Sequence, residues 1–254
     1  MFKCFWSTWS NSHANAIVRR LPVKKQTIEH AAERAGLELP AETIEQIQVF
    51  VARLLEKNKV MNLTAITEEE EIADSHLLDS FLLLPYLRGK SMIDVGTGAG
   101  FPGMLVKLAR PELKLVLVDS TRKRISFLED LIEELGLSEV SAVHGRAEDL
   151  AHMSEYREKF DTAVARAVSS LDILLELCLP MVKPGGRFLA MKGKEDELDL
   201  AAKAIPLLGG GKATADHYLL PGTDKQRTMV IVPKEKPTKQ RYPRPFAAIK
   251  KSPL

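Results

Sequence analysis

The sequence predicts an α/β protein in which a doubly wound, mostly parallel sheet of seven strands follows a small helical lobe. Three observations carry that expectation. From residue 90 onward, short β-branched runs alternate with amphipathic helical stretches, a repetition that folds as a parallel sheet covered on both faces. The first of these runs ends in a glycine-rich turn. Before residue 90, apolar residues recur only at helical spacing. Composition agrees: of 254 residues, 45% are hydrophobic and 28% charged, as in ordinary globular domains, and no apolar run approaches the ~18 residues of a membrane helix.

Residues 1–25 hold both tryptophans, Trp6 and Trp9, and five basic residues without an acid. They fit no periodicity and are expected to be a disordered extension or the product of a mis-assigned start. Their Ser and Arg content is compatible with a transit peptide, but a secretory signal would need a continuous apolar stretch. From Pro40 the pattern sharpens, and Ile44, Ile47, Val51, Leu54 and Leu55 mark an amphipathic helix with one buried stripe. A second helical stretch over 68–87 opens on Thr67 as N-cap, with Glu70 three residues later, and closes near Gly89. The lobe therefore spans 26–89.

Strands are expected at Ser91–Val95, Lys114–Asp119, Val140–Val143, Phe160–Ala165 and Arg187–Met191. Helices are expected at Pro102–Arg110, Arg122–Leu135 and Leu171–Met181, the last stopped by Lys183-Pro184-Gly185-Gly186. Two further strands, Ala213–Leu220 and Arg227–Val232, have no helix between them and should close the sheet as an antiparallel hairpin. The main domain is thus 90–233. From Pro233 to the end there are five prolines in 22 residues, which argues against any regular element in the tail 234–254.

The net charge of +2 conceals an asymmetry. Residues 1–25 contribute +5 and residues 234–254 contribute +6, so the middle carries −9. Cationic ends on an acidic body point to a polyanionic partner, nucleic acid rather than membrane, because neither end is an amphipathic apolar helix. Tails that serve only solubility are the plain alternative. The two cysteines, Cys4 and Cys178, are too few for a zinc cluster and suit a reducing compartment, so a cytoplasmic protein is expected.

The most informative motif is Asp94-Val95-Gly96-Thr97-Gly98-Ala99-Gly100, at the carboxyl end of the first main-domain strand. Ligands of open α/β sheets sit outside such strand ends, and glycines there admit close backbone approach. A dinucleotide fingerprint would place glycine five residues after Gly96, where Phe101 stands. Three alternate glycines behind an acid resemble instead the glycine-rich motif of the S-adenosylmethionine-dependent methyltransferases. Asp119 ends the next strand, 23 residues after Gly96, where a carboxylate can accept both ribose hydroxyls. The fourth strand is followed by Arg166-Ala167-Val168, unlike the Asn/Asp-Pro-Pro-Tyr/Phe motif of exocyclic-amine methyltransferases. Cys178 lies within Leu-rich LLELCLP and reads as core, which argues against covalent attack on a base. Guanine N7 presents an in-plane lone pair and no proton to remove, so the missing bases favour it mildly.

The resemblance then becomes specific. Asn62-Leu63-Thr64, His76-x-x-Asp79-Ser80, DVGTGAGFPG (94–103), Asp119-Ser120-x-x-Lys123-Arg124-x-x-Phe127-Leu128, Arg146-Ala147-Glu148, Ala165-Arg166-Ala167, PGGRFLAMKG (184–193) and Arg227 resemble the RsmG/GidB family of bacterial 16S ribosomal RNA guanine-N7 methyltransferases. The likeness runs in order from about Ala41 to Leu254. It implies a class I S-adenosylmethionine-dependent methyltransferase fold, Rossmann-like, acting on the 530-loop guanosine at position 527 of 16S ribosomal RNA or of the small subunit, as a monomer. Methylation of another RNA atom or of a small molecule, and a non-catalytic RNA-binding assembly module retaining cofactor affinity, are the rival readings.

The family implies roles for matching positions. Asp94, Gly96, Gly98, Gly100 and Phe101 would form the S-adenosylmethionine site with Asp119, while Ala147 and Glu148 would meet its adenine. Arg166 would stand between the methionine moiety and the target base as the catalytic residue. Phe101 as core beneath the loop, Glu148 as a helix cap and Arg166 in a structural salt bridge are the alternatives. Lys123 and Arg124, with Arg122, open a helix whose N-terminus disfavours cations, so a phosphate partner is expected there. Lys192 and Arg227 complete the RNA-binding set, Lys192 meeting phosphate or stabilising the product. His76 and Asp79 lie one turn apart and are expected to share a hydrogen bond rather than bind metal.

Overall fold

The computed structural model describes residues 22–254, so the expected extension falls almost wholly outside it. Within it the folded chain starts earlier than 26: Val23 is fully buried. Helix α1 (Lys25–Arg34) follows at once, burying Ile28, Ala31 and Ala32 along one face. Helix α2 (Ala41–Met61) buries the stripe read from the sequence except Leu55, which is half-buried, adds Thr43 and Phe50, and stops where Asn62 turns left-handed at φ 50°. The next helix opens on Glu68, not Thr67, and no side chain caps it. Its first turn, α3 (Glu69–Ile72), runs into a π-helical stretch (Ala73–Leu78) and then α4 (Asp79–Phe81). Glu69 accepts the Thr27 hydroxyl at 2.6 Å and the Lys24 amide at 2.8 Å, tying this stretch to the start of α1.

The sheet has seven strands: β1 (Ser91–Val95), β2 (Lys114–Asp119), β3 (Val140–His144), β4 (Phe160–Arg166), β5 (Val182–Lys192), β6 (Thr214–Leu219) and β7 (Gln226–Pro233). Their order is β3-β2-β1-β4-β5-β7-β6. The first five are parallel, and β7 joins β5 antiparallel with β6 at the edge. The strand order turns back between the parallel neighbours β1 and β4, so the connections leaving their carboxyl ends part to opposite sides and leave a crevice. The helices between strands are α5 (Gly103–Ala109), α6 (Arg122–Glu134), α7 (Ala147–Leu150), α8 (Leu171–Cys178), α9 (Leu198–Ala201) and α10 (Ala204–Leu207). Lys183-Pro184-Gly185-Gly186 does more than stop a helix. It belongs to β5, where a Cβ on Gly186 would stand 2.5 Å from the Asp161 carbonyl oxygen.

Two hydrophobic cores cover the faces. One joins Ile44, Phe50 and Leu54 of α2 to Phe101, Met104, Leu105 and Leu117, so the helical lobe and the sheet share a single core. The other packs α8, α9 and α10 against Ile93, Ala163 and Phe188. No described helix is long and apolar enough to cross a membrane.

The tail departs from expectation. It contains helix α11 (Phe246–Lys251) and is anchored by charge rather than by periodicity. Lys234 is buried and donates to the Leu179 carbonyl at 2.8 Å. Arg157 donates to the carbonyls of Tyr242 and Thr238, and Arg244 pairs with fully buried Glu176. Two of the tail's basic residues are thus structural.

Candidate active site

The glycine loop leaves β1 with Gly96, Gly98 and Gly100 all at positive φ. At Gly96 a side chain would be strained twice over, by φ of 73° and by a Cβ standing 2.6 Å from a Val168 methyl. At Gly100 it would meet Met104 and Leu128 below 3.0 Å. Asp94 holds the loop from beneath: Oδ2 accepts the Thr97 hydroxyl at 2.8 Å and the Gly103 amide at 2.9 Å. Its other oxygen is buried without a partner, and burial pushes the carboxyl pKa up to about 6. Asp119, at the end of β2, closes the loop from the far side. Its Oδ2 accepts the Gly98 amide at 3.0 Å and the Arg124 guanidinium at 3.2 Å, and Oδ1 accepts the Thr121 amide at 2.8 Å.

Above this cradle lies a cleft of about 310 Å³, lined by Gly96, Asp119, Ser120, Arg124, Ala147, Glu148, Ala167 and Val168, with Leu177 and Phe246 along its wall. A glycine surface, a carboxylate and apolar side chains in one cleft could hold the nucleoside part of S-adenosylmethionine. Of the residues expected to hold it, Gly96, Asp119, Ala147 and Glu148 line the cleft. Asp94, Gly98, Gly100 and Phe101 do not: Asp94, Gly100 and Phe101 are buried behind the loop, while half-exposed Gly98 donates its amide to Asp119. Arg124 pairs with Asp119 at the cleft while its side chain stays about 40% exposed, and Lys123 is exposed on the first turn of α6.

A second cleft of about 380 Å³ adjoins the first at Ala167. It is lined by Ser75, His76, Asp79, Arg166, Lys192, Tyr218 and Arg227, among others. Three of the cations singled out in the sequence therefore converge. Asp79 is the hub. Its Oδ2 accepts Arg166 at 2.9 Å and its Oδ1 accepts Arg227 at 3.0 Å, while Arg166 also donates to the Ser75 carbonyl at 3.0 Å. The salt-bridge reading of Arg166 thus holds, and the bridge sits inside the cleft. Lys192 donates to the Ser169 carbonyl and to Glu197, each at 2.8 Å, which leaves it tied back and largely covered. Ala167 takes a left-handed φ of 55°, a strained setting for a residue with a Cβ.

His76 and Asp79 do not share the expected hydrogen bond. The His76 ring stacks on Phe101 at 4.2 Å and 5°, and Phe101 in turn packs on Phe50 at 4.9 Å, which makes Phe101 core beneath the loop. The Arg166 guanidinium faces Nδ1 of His76 at 3.4 Å; because that group only donates, the ring proton belongs on Nε2, 3.1 Å from the Thr64 hydroxyl. Burial, seconded by the Arg166 charge, lowers the His76 pKa to about 3. The unfolded chain then takes up a proton before the folded one does, so this contribution to stability is complete above pH 6.5 and is lost as the pH falls toward 3. Wild-type protein should lose stability across that window more steeply than His76→Gln in denaturant titrations; parallel slopes would show that His76 titrates normally. Asp94 acts in the opposite sense but equally in both proteins.

Phe246 in the first cleft, and Ser75 and Tyr218 in the second, belong to none of the motifs read from the sequence, and the packing of distant segments brings them in. Ser120 and Val168 enter beside Asp119 and Ala167, within those motifs but with no role of their own there, and Leu177 enters from the core stretch around Cys178. Cys178 is fully buried and its thiol pKa is pushed up by burial, as a core residue. Among the described residues no three of His, Cys, Asp and Glu stand together to hold a metal ion.

The sheet order, the glycine cradle and the acid at the end of β2 define a class I S-adenosylmethionine-dependent methyltransferase fold. Two solved structures share it: a predicted O-methyltransferase from Agrobacterium tumefaciens (TM-score 0.51, 18% identity, 65% of this chain and 83% of that one) and the cofactor-bound Rv0187 from MTB (TM-score 0.51, 15% identity, 74% and 91%). Residues 43–214 match the family described as rRNA small subunit methyltransferase G, and the chain belongs to that family. The protein named Ribosomal RNA small subunit methyltransferase G in Acetivibrio thermocellus is 44% identical over 239 residues, 93% of this chain and 98% of that protein. Its namesake in Clostridium botulinum is 47% identical over 204 residues, 78% and 85%. The family and fold imply S-adenosylmethionine as cofactor.

Asp119→Ala should weaken S-adenosylmethionine binding by ~10–100-fold, since hydrogen bonds to a charged acceptor contribute about 1.5–3 kcal/mol. Calorimetry on a folded variant checks this, and unchanged affinity would remove Asp119 from the site.

Proposed function

We propose that this protein transfers a methyl group from S-adenosylmethionine to N7 of a guanosine in 16S ribosomal RNA, the 530-loop guanosine that the family resemblance implies. The observation that carries the reading is the junction of the two clefts at Ala167, one shaped for a nucleoside and the other lined by cations. Gly96, Asp119, Ala147 and Glu148 would hold the cofactor. When bound, it supplies an electrophilic methyl on a sulfonium centre.

The second cleft would hold the acceptor, and its chemistry supports N7. Its one histidine is buried, neutral and engaged on both ring nitrogens. Its one carboxylate, Asp79, is held between two arginines. Neither is placed to take a proton, and N7 has none to lose. What the transfer asks of this chain is alignment and charge management. Transfer leaves the guanine ring positive, so Arg166 serves best at O6 or at a neighbouring phosphate, where its planar fork finds two acceptors. Asp79 then acts as a positioning residue for Arg166 and Arg227. Exposed Arg122, Lys123 and Arg146 beside the first cleft, with Lys236, Lys239, Arg241, Lys250 and Lys251 of the tail, would meet the phosphates.

Mapping N7-methylguanosine along small-subunit RNA from cells with and without this protein tests the reading. Loss of one modified guanosine is the expected result; an unchanged map, or loss of a methyl group at another atom, would overturn it.

A further inference from the structure

Phe246, first residue of the six-residue helix α11, lines the nucleoside cleft although it lies 127 positions beyond Asp119 in the chain. Its position is fixed from both sides. Just before it, the Arg244 guanidinium and amide bind the buried Glu176 carboxylate through three contacts of 2.7–2.8 Å, and the Pro243 carbonyl stands 2.8 Å from the His152 ring nitrogen. Just after it, Ile249 is fully buried in the second core. The side chain of Phe246 is itself only partly covered, and it lines the same cleft as Val168 and Ala147. A ring held firmly at the edge of a cleft this size is what a flat heteroaromatic ligand needs.

We propose that Phe246 is a stacking face for the adenine ring, so that the C-terminal helix completes the cofactor site. The inference rests on the placement of S-adenosylmethionine in this cleft. The carboxylate side, Asp119, holds the sugar; the aromatic side, supplied by the tail, selects a planar base. The tail's internal ion pairs then have a purpose beyond stability, since they set the ring at the cleft.

The test is calorimetric binding of S-adenosylmethionine and S-adenosylhomocysteine to Phe246→Ala, Phe246→Leu, Phe246→Tyr and Asp119→Ala, each with its thermal unfolding recorded. Removing a base–aromatic stack is expected to weaken both ligands about tenfold in Phe246→Ala. Phe246→Leu, which keeps apolar packing, should lose nearly as much, and it replaces the alanine variant should that one fail to fold. Phe246→Tyr should bind within about twofold of wild type, because the ring face is retained. Wild-type affinity in Phe246→Leu alongside a weakened Asp119→Ala would overturn the stacking role and leave the cofactor placement standing. Wild-type affinity in both would overturn the two together. Equal losses in the leucine and tyrosine variants would show that packing, not the ring face, sets the affinity, and would also overturn the proposal.

Discussion

Arg166→Ala is expected to lose methyl transfer to small-subunit RNA by about 100-fold or more while binding S-adenosylmethionine as wild type, because misplacing an acceptor by even an ångström carries a cost of that order. The division between turnover and affinity follows from geometry: Arg166 lines the second cleft and not the first. The fold should survive, since Asp79 keeps Arg227 at 3.0 Å when Arg166 is gone. Single-turnover transfer on ribosomal particles, with calorimetry and thermal unfolding on the same preparation, separates the outcomes. A fall in cofactor affinity would move Arg166 to the methionine carboxylate. Wild-type turnover and affinity together would make it a structural ion pair and displace the acceptor site from this cleft.

Arg244→Ala should destabilise the protein by about 3–5 kcal/mol, the usual cost of stripping one partner from a buried ion pair. Glu176 is completely buried and accepts two side-chain bonds and one backbone bond from Arg244, so its charge has nowhere to go once the guanidinium is removed. The denaturant midpoint reads the loss. Adding Glu176→Gln to Arg244→Ala should recover part of it, because a neutral amide tolerates burial without a cation. A single variant that unfolds at the wild-type midpoint would show that water or another group already solvates Glu176.

Much of the fold could be read from the sequence because its signals are local. Five parallel strands announce themselves as short apolar runs between helical stretches, and the hairpin of β6 and β7 by the missing helix between them. The glycine loop was legible because close backbone approach demands glycine, and Asp119 because an acid at the end of the second strand stands where a ligand of such a sheet would meet it; the structure puts Gly96 and Asp119 on the same cleft. What escaped the sequence is held by partners remote in the chain. Helix α11 spans six residues among prolines and has no periodicity to show; Glu176, 68 positions earlier, anchors the chain that leads into it. Helix α1 buries only Ile28, Ala31 and Ala32, too small a stripe to stand out. The bond expected between His76 and Asp79 assumed that an isolated helix decides. Instead Phe101 and Thr64 take the histidine, and two arginines take the carboxylate. Lys192 read as a free cation only because Glu197 offers no hint in sequence that it will turn back on it.

The shared core beneath the glycine loop has a further consequence. Phe50 of α2, Phe101 of the loop and Leu117 of β2 belong to one continuous apolar interior, so the helices carrying His76 and Asp79 have no seam along which to swing away from the sheet. A clamshell opening would expose that interior to water at ~25 cal/mol for each Å² uncovered. The distance between the nucleoside cleft and the cation-lined one is therefore settled when the chain folds. On the proposed placement of the acceptor, deformation falls to the other molecule: a base still stacked in its helix would have to be turned outward to enter beside Arg166 and Ala167, at a cost of a few kcal/mol. Choice among acceptor bases would then follow the looseness of the RNA itself, with the rigid protein acting as a gauge.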